Sequence, residues 1–85
     1  MTRADIFKMI DDERKYQESK WGQEFDLANT ANDWVTYIVR YAAAAAEPMV
    51  HDKKVFETKM VKVAALAVAA LEAVKQGGPA PRHYD

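Results

Sequence analysis

The stretch KMVKVAALAVAALEAVKQGGP, Lys59 to Pro79, decides the fold. Phe56, Met60, Val63, Ala67, Leu71 and Val74 recur at the spacing of one helical face and form a main stripe. Leu66, Ala69, Ala70 and Ala73 extend apolar surface around the other side. With Asp52 as cap and Gly77-Gly78-Pro79 as stop, the pattern predicts a long helix ending near Gln76. A helix apolar nearly all round should be buried nearly all round. A chain of 85 residues forms one domain and has too little material to cover that helix from within. The expectation is an all-α fold of three main helices, a bundle completed by association with further copies of the chain.

Two shorter helices precede it. Trp34, Ile38, Tyr41 and Ala45 lie on one stripe, with Val35 and Ala42 alongside, and this reads as a buried seam. Thr30 or Asn32 caps that helix, and Asp33 in its first turn suits the helix dipole. The alanine run Ala42 to Ala46 has no bulk, so another helix can come close there, and Pro48 closes the element. Upstream, Thr2 caps a helix predicted from about Arg3 to about Ser19, whose apolar side is Ile6, Phe7, Met9 and Ile10. Gly22 suits a left-handed helix end, Trp21 should fold back as a plug, and Gly22 to Asn29 reads as loop. Residues 1–76 form the single domain and residues 77–85 a tail, where Arg82, His83 and Tyr84 offer either a solvated terminus or an arm.

Composition narrows the function. Twelve Lys and Arg against thirteen Asp and Glu give a net charge of −1, so no global basic field draws nucleic acid or an anionic membrane. Any anion site must be local. Cysteine is absent, which removes disulfides, thiolate metal sites and thiol catalysis. The start lacks the uninterrupted apolar stretch of a signal peptide, and Val63 to Leu71 is too short to span a bilayer. The expected protein is soluble and cytoplasmic, with no nucleic-acid or membrane partner.

No Gly-rich phosphate loop, His-Glu-x-x-His helix, Cys/His cluster or calcium loop is present. Two clusters remain. Glu13, Arg14, Gln17 and Lys20 sit at helical spacings just before Trp21. They form either a solvated face with local ion pairs or, with Trp21 and Tyr16 nearby, the amide, guanidinium and ring that recognise a base and a phosphate. Lys59 and Lys62 border an apolar stretch, as does Arg40 beside Tyr41. Such cations either snorkel to water or meet an anion. A Mg²⁺ site needs converging carboxylates, yet there is no acid between Asp33 and Glu47 or between Glu57 and Glu72.

The order D-E-R-K-Y-Q-E-S-K-W-G, then N-D-W-V-T-Y-I, then V-K-V-A-A-L-A-V-A-A-L-E resembles the small MazG-like proteins of phages and bacteria, over Ile6 to about Val74. The closing P-R-H-Y-D also looks like the end of phage-borne relatives. The resemblance implies an all-α oligomer that holds nucleotide between helices. In active members it implies Mg²⁺-dependent cleavage of nucleoside triphosphate to monophosphate and pyrophosphate, carried by an E-E-x-x-E motif and by acids on the next helix. This sequence departs from both. Past Trp34 it has Arg40-Tyr41-Ala42-Ala43-Ala44, and on the last helix Lys59-Met60-Val61-Lys62.

A pocket that supplies Arg and Lys can hold phosphate without metal, but lacks the ion that activates water and stabilises the leaving group. The resulting expectation is a homo-oligomeric nucleotide binder needing no cofactor, without hydrolysis, its ligand held by Arg14, Gln17, Lys20, Trp21, Arg40, Tyr41, Lys59 and Lys62. On a phage genome it would sequester a nucleotide immune signal. Two competitors stand beside it. One is a Mg²⁺-dependent pyrophosphohydrolase using Glu13, Glu47, Glu57 or Glu72 from different helices or subunits. The other is a helical oligomer that binds only protein.

Overall fold

The computed structural model describes residues 1–47 and 52–78, with the backbone alone for 23–27. The fold is all-α, and the described residues form three helices in the order α1 (Arg3–Ala28), α2 (Ala31–Ala45) and α3 (Lys53–Lys75). Pro48, the turn Met49 to His51 and the tail residues Arg82, His83 and Tyr84 lie outside the described residues. Both α1 and α2 pack against α3, which is the middle layer.

The caps follow from side-chain chemistry. Thr2 and Asp5 form a reciprocal pair at the start of α1: Asp5 N donates to Thr2 Oγ1 at 3.2 Å and Thr2 N donates to Asp5 Oδ2 at 2.9 Å. These bonds hold the Asp5 carboxyl below its ordinary value. A lowered folded-state value means the contribution is present above the ordinary carboxylate range and is lost as pH falls through the lowered one. Of the two candidate caps on α2, Thr30 takes the position, in a capping box with Asp33. Asp52 caps α3, its carboxylate accepting from Lys54 N at 2.8 Å. At the other end Gly77 has φ 99°, Gly78 N donates to Ala73 O and Gly77 N to Val74 O. That pair of bonds is a Schellman closure, and the positive φ explains a glycine at residue 77.

Two expectations need correction. The segment from Gly22 to Asn29 is not a loop through most of its length, because α1 continues to Ala28. Gln23, Glu24, Leu27 and Ala28 are good helix formers, so the helix that breaks at Gly22, as expected, is followed across a kink by a second helical stretch up to Ala28. The Gly22 φ of 79° and ψ of 166° are not the left-handed helical conformation but an extended one with positive φ, open essentially only to glycine.

The second correction concerns α3. Among the described residues its buried positions are Ala65, Leu66, Ala69 and Ala73, whereas Phe56, Leu71 and Val74 of the supposed main stripe are exposed. The reason is steric. A helix packed between two others needs small residues where they cross, and Ala65, Ala69 and Ala73 recur every four residues along that line. Trp34 fills the space they leave and packs with Leu66, Ala69 and Ala73; Tyr37, Ile38, Tyr41 and Ala70 close the cluster. On α2 the Trp34 to Ala45 stripe lies against α3, while Val35, expected alongside it, faces outward.

This core predicts opposite failures from opposite changes. Leu66→Ala opens a cavity and should cost about 2–5 kcal/mol. Ala69→Leu overpacks the crossing and should cost about 1–3 kcal/mol. Urea denaturation followed by circular dichroism measures both.

Candidate functional site

Seven of the eight cationic, amide and aromatic residues singled out in the sequence divide into two places, and Lys20, exposed on α1, belongs to neither. Trp21, Arg40, Tyr41 and Lys59 line one groove, together with Tyr37 and Ala44. Its volume is about 430 Å³. α1 brings Trp21, which is 37% exposed at the groove rather than folded back as a plug. α2 brings Tyr37, Arg40, Tyr41 and Ala44 at i, i+3, i+4 and i+7, one continuous face. Lys59 comes from the first half of α3.

Charge in the groove is one-sided. Lys8, Arg14, Lys15, Lys54 and Lys62 each have a carboxylate within 3.8 Å. Among the described residues, Arg40 and Lys59 have none, and no Asp or Glu lines the groove. The Lys59 ammonium instead lies 5.9 Å from the centre of the Tyr41 ring. Lys20, also without a carboxylate partner, lies 5.8 Å from the centre of the Trp21 ring. Both are cation–π distances, and both leave the ammonium able to meet an anion.

The other residues are held between α1 and α3. Arg14 is 6% exposed; its Nε donates to Glu72 Oε1 at 2.8 Å and its Nη2 lies 3.7 Å from Glu18. Gln17 is 4% exposed, donates to Glu13 Oε2 at 3.3 Å, and keeps its Oε1 buried without a hydrogen-bond partner. Lys62 faces the same Glu13 at 3.7 Å, so its ammonium meets a carboxylate of its own chain. None of these three lines the groove. Tyr37 does, and the sequence reading passed over it. Its position four residues before Tyr41 and three before Arg40 was the available signal.

No family model, curated protein or solved structure matches the chain.

Three of the four carboxylates of the hydrolase alternative, all but Glu47, are paired within the chain. Glu13 faces Lys62, Glu57 lies 3.8 Å from Lys54, and Glu72 holds Arg14. Asp12, Glu13 and Glu57 border one shallow groove, but Asp12 is paired with Lys8 at 2.9 Å. Among the described residues, no three of His, Asp and Glu gather where a metal ion could sit.

The Arg14 arrangement is separable from the groove. Glu72→Ala leaves the buried guanidinium with weaker compensation. Because the Glu72 side chain is 40% exposed, the cost should be about 1–2 kcal/mol, below that of breaking a fully buried pair. Urea denaturation measures it, and Trp21 emission in native buffer should stay unchanged.

Proposed function

We propose that the groove binds a nucleotide-type anion and that the protein returns this ligand unhydrolysed. The observation that carries the reading is the lining itself. Three aromatic rings, Trp21, Tyr37 and Tyr41, share one groove with two cations, Arg40 and Lys59, that have no carboxylate partner. Rings offer a stacking surface to a base, and a guanidinium offers a fork to phosphate. The volume falls in the range of about 300–1,000 Å³ usual for small-ligand sites. Lys20 adds charge at the edge. With no carboxylate among the described lining residues, the groove offers cations where a Mg²⁺ site would need acids.

In this reading the fold is of the MazG-like kind and the protein works as a homo-oligomer in the cytoplasm. Leu71 is 65% and Phe7 61% exposed in the single chain, with Phe56 and Val74 also largely in solvent. A second copy is the economical cover for such surface. No helix among the described residues is long and apolar enough to cross a membrane. A binder that leaves its ligand intact acts by sequestration. Carried by a phage, it would withhold a nucleotide immune signal from the host.

The test is melting temperature against mononucleotides, nucleoside triphosphates and cyclic oligonucleotides, with and without Mg²⁺. Ligand at one hundred times its dissociation constant adds about 2.7 kcal/mol. The expected outcome is a shift that ignores Mg²⁺ and disappears in Arg40→Ala and Lys59→Ala, with intact ligand recovered after denaturation. A shift that requires Mg²⁺, or recovery of a cleaved product, restores the hydrolase. Absence of any shift favours the protein-binding oligomer. Sedimentation equilibrium should give a multiple of the 9.6 kDa chain mass.

A further inference from the structure

The one backbone break in α1 falls directly after Trp21. Gly22 has φ 79° and ψ 166°, while the helix is regular before it and resumes after it. Trp21 supplies the α1 contribution to the groove lining. Were α1 unbroken, the turn after Trp21 would stack above it on the same cylinder, since residues three and four apart are neighbours on a helix. The break turns that part of the chain away and leaves the ring facing Tyr37, Arg40 and Tyr41.

Space does not demand a glycine at this point. A Cβ added at Gly22 would meet nothing within 4 Å. Gly78 is the contrast, for a Cβ there would lie 3.0 Å from Ala73 O. Only the sign of φ excludes other residues at Gly22. The position therefore has a conformational requirement and no steric one, which is unusual for a packed glycine and convenient for experiment.

We propose that Gly22 is the positioning residue of the groove: its positive-φ break places the Trp21 ring opposite Tyr37 and Tyr41, and Trp21 in turn supplies the wall on which the ligand stacks. The inference rests on reading the groove as the binding site. An L-alanine at residue 22 would drive φ to negative values and swing the chain on either side of it, moving Trp21. A D-alanine would not. The mirror image of the Gly22 conformation is an ordinary extended one for an L residue, so a D residue adopts this φ and ψ without backbone strain.

The experiment compares wild type, Gly22→Ala and Gly22→D-Ala. All three are made by chemical synthesis with 5-fluorotryptophan at the two tryptophans, and ATP serves as the probe ligand. Fluorine NMR gives one resonance for Trp21 and one for Trp34, each assigned by single labelling. Gly22→Ala should move the Trp21 resonance, leave that of Trp34 in place, and weaken ATP binding about tenfold or more, the scale of one lost aromatic stack. Gly22→D-Ala should return both readouts to wild type. A general loss of structure would move Trp34 as well and would not depend on chirality.

An unmoved Trp21 resonance in Gly22→Ala, or equal effects of the two alanine enantiomers, overturns the proposal. ATP binding unchanged in Gly22→Ala despite a moved Trp21 resonance overturns the part that makes Trp21 a wall. Should wild type fail to bind ATP, the wall claim falls with the binding reading. The two resonances then still decide whether Gly22 places Trp21.

Discussion

The fold depends on how closely α2 can approach α3 at Ala69 and Ala73. Methyl groups at these two positions leave room for the indole of Trp34, and that ring is the largest body in the buried cluster. Leu66 completes the contact from α3. A core this thin gains its stability from closeness rather than from volume, because dispersion falls away steeply with small gaps. The same crossing sets the angle of α2, and with it the direction in which Tyr37, Arg40 and Tyr41 point. The geometry of the groove is thus inherited from two methyl groups, those of Ala69 and Ala73, packed on Trp34.

Charge is distributed in two regimes. Along α1 the ions neutralise one another at i, i+4 spacing, as in Lys8 with Asp12 and Lys15 with Asp11, and such exposed pairs contribute little. Between α1 and α3 the pairs are more enclosed: Arg14 with Glu72, Lys62 with Glu13. Around the groove no such pair occurs among the described residues: Lys20 and Lys59 lie over aromatic rings, and Arg40 lines the groove beside Tyr37 and Tyr41. A nearly neutral chain therefore carries a local positive site, which composition alone conceals.

The sequence showed the helices, their caps and the α2 stripe, since these depend on local spacing and on single side chains such as Thr30 and Asp52. It misjudged which side of α3 is inside. Hydrophobicity ranks Phe56 and Leu71 above alanine, whereas the helix crossing selects for smallness, and only the arrangement of three helices reveals that. The Trp-Gly pair does mark a break, at Gly22; what the spacing did not show is that the chain resumes its helix up to Ala28, which depends on where α2 must begin. Half of the proposed ligand set was legible. Trp21, Arg40, Tyr41 and Lys59 converge because the stripes of α2 and α3 face each other, while the long arms of Arg14 and Lys62 find acids that no one-dimensional pattern pairs with them.

Tyr37 and Tyr41 belong to two structures at once. They close the buried cluster around Trp34 and they line the groove. A substitution at either ring is felt in the core as well as on the surface, so drift at these positions is constrained by folding. Trp21, Arg40 and Lys59 touch the groove without forming part of that cluster. If lineages of this protein diverge in what they hold, variation should concentrate at these three positions, with the tyrosines persisting as a common floor beneath changing walls.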